Sequence, residues 1–457
     1  MRRTEPARGM RDFLPEDVRR RDYVIGVITR VYQRYGFEPL ETPAVENVET
    51  LQGKYGDEGN KLIYKILRRG EHEKSGEADL ALRYDLTVPL ARVVAHHSAR
   101  LPRLFKRYQI QPVWRADRPA RGRFREFFQC DVDALGSTAP VVEAELCAAI
   151  ADALVELGFA DFRIRINDRR LLTSLLQRMG IVETLHETAL VAFDKFDKIG
   201  VDGVVAELGR RGIGSEAVSR FVALQELLTA RPGAVGVAAS LESVTTVDRF
   251  LPAKSADGGQ ESSLDNLRTI LELTRGTSAE PRMSYDPFLA RGLSYYTGAI
   301  MEVNVADLAG SLGGGGRYDN LVGMFAGHNI PACGFSLGLE RILVVMGERG
   351  MFPATLPHAP ADIMVALFDV SATGPSVRLA GLLRAQGLRV LVYPDADKLG
   401  KQIKYADGRG IPFVAFLGAD EIRAGTVTVK DLAAETQQTY EQSAAGAAIL
   451  EALTRRG

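Results

Sequence analysis

Trp114–Asp133, WRADRPARGRFREFFQCDVD, crowds Arg115, Arg118, Arg121, Arg123 and Arg125 around Pro119 and Gly122. Beyond the glycine, apolar residues alternate with polar ones at Phe124, Phe128, Cys130 and Val132, and the stretch closes on a carboxylate. Proline and glycine punctuate turns and a period of two marks a half-buried strand, so the stretch reads as strand, basic turn, strand. Arginines on a hairpin are planar, permanently charged donors suited to phosphate oxygens, and Phe127 can offer a flat face to a base. By itself an arginine cluster is usually only a solvated basic hairpin. The surrounding chain reverses that reading.

Charge is concentrated here. The whole chain of 457 residues carries a formal net charge of −1, yet Arg100–Glu126 holds nine lysines and arginines against Asp117 and Glu126, a local +7. That excludes a molecule-wide magnet for nucleic acid but leaves a basic face adequate for a nucleotide or RNA contact. With 46% apolar and 25% charged residues the composition is that of an ordinary globular protein of two or three domains. Cys130, Cys147 and Cys333 are odd in number and widely spaced, which speaks for reduced thiols in a cytosol. The six histidines form no ligand-spaced cluster, so no metal site is expected. No run reaches the length of a membrane span and the start leads into no signal-like segment, so a cytoplasmic location is expected.

Upstream, Val24, Val27, Ile28, Val31 and Tyr35 recur at helical spacing from Pro15 to a stop at Gly36. FEPLETPAV follows; Pro39 and Pro43 would remove ladder donors, so it belongs at a sheet edge or an interface. GKYGDEGNK lacks the GK[ST] ending of a phosphate loop and reads as a mobile surface loop ahead of strand-like LIYKIL. Leu82–Arg92, LRYDLTVPLAR, sets Arg83, Asp85, Thr87 and Arg92 into an apolar run. Buried charges need partners, so this marks either a structural ion-pair network or a ligand pocket.

Downstream, residues 139–157 read as a helix on Val142, Leu146, Ala149, Ile150, Ala153 and Leu157, followed by strand FRIRIN. From Asp168 to Leu251 glycines close a series of short helices, an inserted helical module with PAKSADGGQESS as its polar return linker. Strand-like segments resume at Arg282 and run through YYTGAIMEVNV to GGGGRYDNLV, where Gly313–Gly316 reads as a tight turn that lets backbones approach. CGFSLGLERILVVM reads as a strand feeding a helix. Past a second linker, MFPATLPHAPA, ADIMVALF, LRVLVY and IPFVAFLG alternate with helical SVRLAGLLRAQG and DKLGKQIKYADGRG, which predicts a small α/β domain of βαβ units.

Taken in order, these stretches resemble class II aminoacyl-tRNA synthetases, and among them the histidyl-tRNA synthetase family, over essentially the whole chain. GFEPLETP is similar to the family's motif 1, WRAD through Phe127 to motif 2, and GLERI to motif 3. ARGLSYYTG and GGGGRYDNL are similar to the two peptides that set the histidyl enzymes apart. The resemblance implies an α+β fold: an antiparallel sheet flanked by helices, a helical insertion and a C-terminal α/β anticodon-binding domain. The corresponding division is a catalytic core over 1–167 and 265–349, an insertion over 168–264 and an anticodon-binding domain over 361–457. It also implies a homodimer that uses ATP, with Mg²⁺, to activate L-histidine and pass it to the histidine tRNA.

The residue roles are those the resemblance implies. Arg115 matches the motif 2 arginine on the α-phosphate, Arg341 the motif 3 arginine on the γ-phosphate side, and Arg291 the arginine between substrate carboxylate and α-phosphate. Phe127 matches the ring that stacks on adenine and Asp117 the carboxylate near its amino group, an aspartate where glutamate is commoner. Asp85, Thr87 and Gln129 match the residues around the α-amino group. Asp133 and Tyr296 match the pair on the two imidazole nitrogens, a sensible pairing because neutral imidazole offers one donor and one acceptor. Tyr295 and Tyr318 are implied as further pocket residues, although Tyr295 by its own pattern reads as core. Ser294 stands where aspartate is common. Arg121, Arg123, Lys398, Lys401 and Lys404 are implied tRNA contacts. The competing reading is a catalytically silent paralogue, such as the regulatory subunit of ATP phosphoribosyltransferase. Such subunits usually lack the C-terminal domain whose segments stand complete here.

Overall fold

The structure, a computed structural model, describes residues 4–53, 62–68, 76–193, 195–229, 235–251, 259–290, 295–354, 356 and 358–455. Two compact units divide the chain, Met1–Leu14 with Arg20–Met351 and Pro15–Arg19 with Phe352–Gly457.

The first unit is built on an eight-stranded sheet. In chain order its members are β1 (Glu38–Pro39), β5 (Phe105–Trp114), β6 (Glu126–Leu135), β7 (Arg163–Asp168), β8 (Met283–Tyr285), β9 (Ala299–Asn304), β10 (Gly313–Arg317) and β11 (Ala332–Gly338). A small sheet of β2 (Val45–Asn47), β3 (Lys65–Leu67) and β4 (Ala78–Leu82) stands apart. The large sheet runs β1-β5-β6-β11-β10-β9-β7-β8, and every pairing from β5 to β7 is antiparallel. Proline-bearing β1 occupies the edge, as missing ladder donors require. Helix Pro15–Arg34 buries Val24, Val27, Ile28, Val31 and Tyr32. Tyr35 is only half-buried and donates its hydroxyl to Asp152 at 2.7 Å. Helix Val141–Glu156 is apolar almost all round and buried, as befits an element covered on several sides.

The arginine hairpin is longer than its sequence pattern shows. β5 and β6 pair over ten residues each, from Phe105 opposite Leu135 to Trp114 opposite Glu126, and the basic turn is the loop between them. Two expectations are corrected. Gly313–Gly316 is no turn: it is the body of β10, paired with β9 on one side and β11 on the other. A Cβ at Gly315 would fall 2.0 Å from the Gly334 carbonyl oxygen, so glycine is there for close backbone approach inside a sheet. The polar return linker also ends early. Gly259–Ser263 already belong to helix Gly259–Leu273, because Leu264, Leu267, Ile270 and Leu271 repeat at three and four and are all buried. GKYGDEGNK lies outside the described residues from Lys54 onward. Six helices of eight residues or more lie between Arg169 and Leu273 among the described residues.

The second unit has a five-stranded sheet: β12 (Ile363–Val365), β13 (Val390–Val392), β14 (Phe413–Phe416), β15 (Thr426–Asp431) and β16 (Thr436–Glu441), in the order β13-β12-β14-β15-β16. The first three are parallel, the βαβ part, and β15 and β16 add an antiparallel edge. Ile363 and Val365 join one apolar cluster with Leu379, Leu383 and Ile449, while Met364 joins another with Ala406 and Ile411. Both sheet faces are therefore covered. The β16 strand and helix Gln442–Thr454 go unread in the sequence, since TQQTYE is exposed nearly throughout and carries no apolar alternation.

Candidate active site

Antiparallel partners place their side chains on the same face. Across β5, β6, β11 and β10 this lays down rows: Gln111–Gln129–Gly338, then Gln109–Asp131–Ser336–Gly314, then Arg107–Asp133–Gly334–Gly316. Toward β10 the rows end on glycines, and above them opens a cavity of about 380 Å³. A Cβ at Gly334 would fall 1.8 Å from Asp133 Oδ1, and one at Gly316 about 2.9 Å from the Tyr296 ring. The missing side chains are what leave room for the pocket.

One end of the cavity collects the polar groups expected around an amino acid. Asp85, Thr87, Gln129, Asp133, Tyr295, Tyr296 and Tyr318 all line it. Asp133 is 2% exposed; its Oδ1 accepts the Tyr318 hydroxyl, and its Oδ2 lies 2.8 Å from Arg107 Nη2. That contact lacks hydrogen-bond direction, so Oδ2 has no hydrogen-bond partner among the described residues. Burial raises the Asp133 pKa, while Arg107 and the Tyr318 hydroxyl pull it back. Tyr318 thus holds Asp133 in place. Tyr295 packs edge-on against both Tyr296 and Tyr318, with centroids 4.8 and 5.9 Å apart. Asp85 Oδ1 accepts Val88 N at 3.2 Å at the start of helix Thr87–His96, which fixes that carboxylate against the pocket wall.

The hairpin supplies the other end. Arg115 donates through Nε to Tyr84 O at 2.8 Å, and its guanidinium lies 5.2 Å from the Phe127 ring centre. Arg341 donates to Ser311 O and packs against Gly122 and Gly310. Arg115, Asp117, Phe127 and Arg341 all line the same cavity. Asp117 is held by Arg123 in an ion pair of 3.1 Å, so its reach toward a base competes with that pair. Arg121, at the exposed tip, pairs with Glu348 and donates to Asp307 O at 3.0 Å. Arg125 donates to Asp117 O at 3.0 Å and to Arg8 O at 3.3 Å. Arg291 and Ser294 lie outside the described residues.

LRYDLTVPLAR divides between a structural network and the cavity wall. Arg83, 1% exposed, donates to Pro112 O, Thr42 O, Pro43 O and Gln111 Oε1, and Arg92 grips Glu46 through Nη2 and Nε at 2.6 and 2.9 Å. These two are structural, whereas Asp85 and Thr87 turn into the cavity. Sequence reasoning missed four polar groups here. Arg107 is fully buried beneath Asp133; Asp131, Ser336 and Glu340 line the cavity. Glu340 Oε2 accepts Phe128 N at 3.0 Å, and burial raises its pKa to about 7. The signal was present in QCDVD: an aspartate at period two from Gln129 and Asp133 must share their face. Among the described residues no group of three His, Cys, Asp or Glu could hold a metal ion, and no helix is long and apolar enough to cross a membrane.

In the second unit Lys398, Lys401 and Lys404 are exposed at the start and along helix Leu399–Gly408, with Ala406 buried and Leu399 and Ile403 partly so. Lys401 pairs with Asp397 at 2.8 Å.

Known proteins match the chain along its length. The family profile described as histidyl-tRNA synthetase matches residues 9–342, and that described as anticodon binding domain matches 363–452. The histidine–tRNA ligase of Gloeobacter violaceus is 41% identical over 464 aligned positions, covering 96% of each chain. That of Christiangramia forsetii is 38% identical over 95% of this chain and 96% of its own. Among solved structures, histidyl-tRNA synthetase from Nostoc sp. PCC 7120 superposes with a TM-score of 0.81 at 32% identity, covering both chains fully. A Bacillus halodurans protein described as an ATP phosphoribosyltransferase regulatory subunit/histidyl-tRNA synthetase gives 0.70 at 23% identity over 88% of this chain and 96% of its own, a likeness of fold.

Proposed function

We propose, from the premise that this chain belongs to the histidyl-tRNA synthetase family and charges tRNA with histidine using ATP, a division of that work among its residues. The carboxylate of histidine bonds to the α-phosphorus of ATP as the bond to the β-phosphate breaks and pyrophosphate leaves. A ribose hydroxyl at the tRNA 3′ end then attacks the acyl carbon and AMP leaves. Both nucleophiles belong to substrates, so the protein positions groups and stabilises charge. Arg115 takes the α-phosphate, Arg341 the γ-phosphate side, and Arg291 the gap between histidine's carboxylate and the α-phosphorus. Phe127 stacks on adenine, with Asp117 near its amino group. Asp85, Thr87 and Gln129 hold the α-amino group. Asp133 accepts from one imidazole nitrogen and Tyr296 meets the other, inside a wall of Tyr295 and Tyr318. What supports the reading is that one cavity is lined by both sets, Arg115 and Arg341 on the one hand and the buried Asp85 and Asp133 on the other.

Magnesium would arrive with ATP. Glu340 is an oxygen donor in the cavity wall that could hold it, and an ion ligated mainly by phosphate and water needs no protein cage. Its chemistry is neutralisation of pyrophosphate charge. A homodimer in the cytoplasm fits the same reading, with motif 1 at the subunit interface. So does the division into core (1–167, 265–349), insertion (168–264) and anticodon-binding domain (361–457). The silent-paralogue reading is weaker, because the curated relatives matched end to end are ligases. Exchange of labelled pyrophosphate into ATP, run with each amino acid in turn, tests the assignment. Exchange with histidine alone is the expected result, and exchange with another amino acid or with none refutes it.

A further inference from the structure

Asp131 has no part in the scheme above. It is 2% exposed, it lines the cavity, and it stands on the pocket face of β6 between Gln129 and Asp133. Same-face residues on a strand are roughly 7 Å apart, so Asp131 lies under the middle of any ligand that reaches from Gln129 to Asp133.

Among the described residues its nearest counter-charge, Arg107, is shared with Asp133 and lies closer to it. From β5 come Gln109 and Arg107, but Arg107 Nη2 lies 4.0 Å from Asp131 against 2.8 Å from Asp133. From β6 come Gln129, whose Nε2 is 3.4 Å from Asp131 Oδ1, and Asp133 itself. From β11 comes the neutral Ser336 hydroxyl. Asp85 adds a further negative charge from the segment before helix Thr87–His96. More distant are the Tyr32 hydroxyl of helix Pro15–Arg34, bonded to Cys130 O at 3.3 Å, and Arg83, already engaged with backbone carbonyls. Among the described residues Arg107 is thus shared between Asp131 and Asp133, and Asp85 is a further buried carboxylate on the same cavity. Burial raises the Asp131 pKa to about 7; Arg107 and the Ser336 hydroxyl lower it, and Asp133 and Asp85 push it up. The three carboxylates do not converge as metal ligands. An organic cation with several N–H donors fits such a site, whereas the anionic end of ATP does not.

Resting on the proposed histidine site, we infer that Asp131 is a further substrate-binding residue: its carboxylate lies beneath the α-ammonium of histidine and gives up a proton to solvent as that ammonium enters. The ammonium keeps its own protons and the carboxylate ionises against it. Histidine is then selected at its amino end by two carboxylates, Asp85 and Asp131, as well as at its ring. Binding is linked to pH through the protein in addition to the ligand's own imidazole.

The test is calorimetric binding to the full chain and to Asp131→Asn, in buffers of different ionisation enthalpy. The ligands are histidine, histidinol, which keeps the ammonium but lacks the carboxylate, and imidazolepropionate, which lacks the ammonium. The variant is expected to lose roughly tenfold in affinity for histidine and histidinol, the scale of a hydrogen bond between charged groups. Imidazolepropionate should bind it as well as it binds the parent. Between about pH 6 and about pH 7.5 the parent should release more protons than the variant, the ligand's own titration being common to both. Equal losses for all three ligands, or a parallel loss of ATP affinity, would assign Asp131 to the fold and overturn the inference, and Asp131→Ser should repeat the ligand pattern. Unchanged histidine binding by the variant overturns this inference alone. Failure of the parent to bind histidine overturns the site reading and this inference with it.

Discussion

A Cβ added at Gly334 would fall 1.8 Å from Asp133 Oδ1 and 3.1 Å from Val132 O. Because the strand backbone cannot retreat, Gly334→Ala must displace the Asp133 carboxylate from Tyr318. The expected outcome is a rise in the KM for histidine of about tenfold, the scale of an unpaired buried polar contact, with the KM for ATP little changed. Steady-state pyrophosphate exchange at varied histidine and varied ATP checks it. Asp131 makes a second prediction, about stability. Its carboxyl is raised from the ordinary value of 3.8 to about 7 by burial, so between those values the folded state binds more protons than the unfolded state. Its contribution is therefore fully present at low pH and is lost as pH rises through about 7. Ligand-free Asp131→Asn should melt above the parent at about pH 8, with the difference shrinking toward about pH 4. Melting curves across that range decide it. The Glu340 carboxyl, raised in the same direction, is common to both proteins and cancels in the difference.

At the scale of elements, the arginine hairpin divides its charges by position along the loop. Arg115, at the root where β5 ends, turns into the cavity, while Arg121 at the tip is tied to Glu348. Both partners in the tip pair are about half exposed, 48% and 49%, and such pairs contribute only about 0–1 kcal/mol. Arg121→Ala should therefore leave the melting temperature nearly unchanged. If the tip meets tRNA, the KM for tRNA rises while pyrophosphate exchange stays at the parent level; paired charging and exchange assays read both. The lysines of helix Leu399–Gly408 give a parallel case. Changing Lys398, Lys401 and Lys404 together to alanine should reduce the slope of log affinity against log salt for tRNA by up to about two. Lys401 contributes least if it stays with Asp397. A slope equal to the parent's would remove the helix from the tRNA interface.

For the whole molecule, the second unit has apolar clusters of its own on both faces of its sheet, and every described residue of the cavity lies in the first. Removing the chain from Ala361 onward should leave histidine-dependent pyrophosphate exchange largely intact and weaken tRNA charging severely. Charging by the shortened protein at the parent rate would detach this domain from tRNA recognition. The expectation follows from chemistry: on the proposed scheme adenylate formation uses only cavity residues, and discrimination among nucleic acids comes from base contacts.

The sequence by itself determined the elements with a strong local signal. Helix Pro15–Arg34, the arms of the arginine hairpin, the strand feeding a helix at GLERI and the three parallel strands near the end each carry an apolar period that only one backbone conformation satisfies. Together with the motifs, that was enough for the family and the chemistry. Only the tertiary structure decided what a charged or glycine residue is for. Arg83 and Asp85 are two positions apart in one segment, yet one locks a loop and the other lines the cavity. Gly313–Gly316 has the composition of a turn but is held extended by strands on either side. Asp131 has to share Arg107 with Asp133 because of the register in which β5 and β6 pair. Periodicity is a property of neighbours along the chain; the pairing of charges and the room above a glycine depend on residues brought together only by folding.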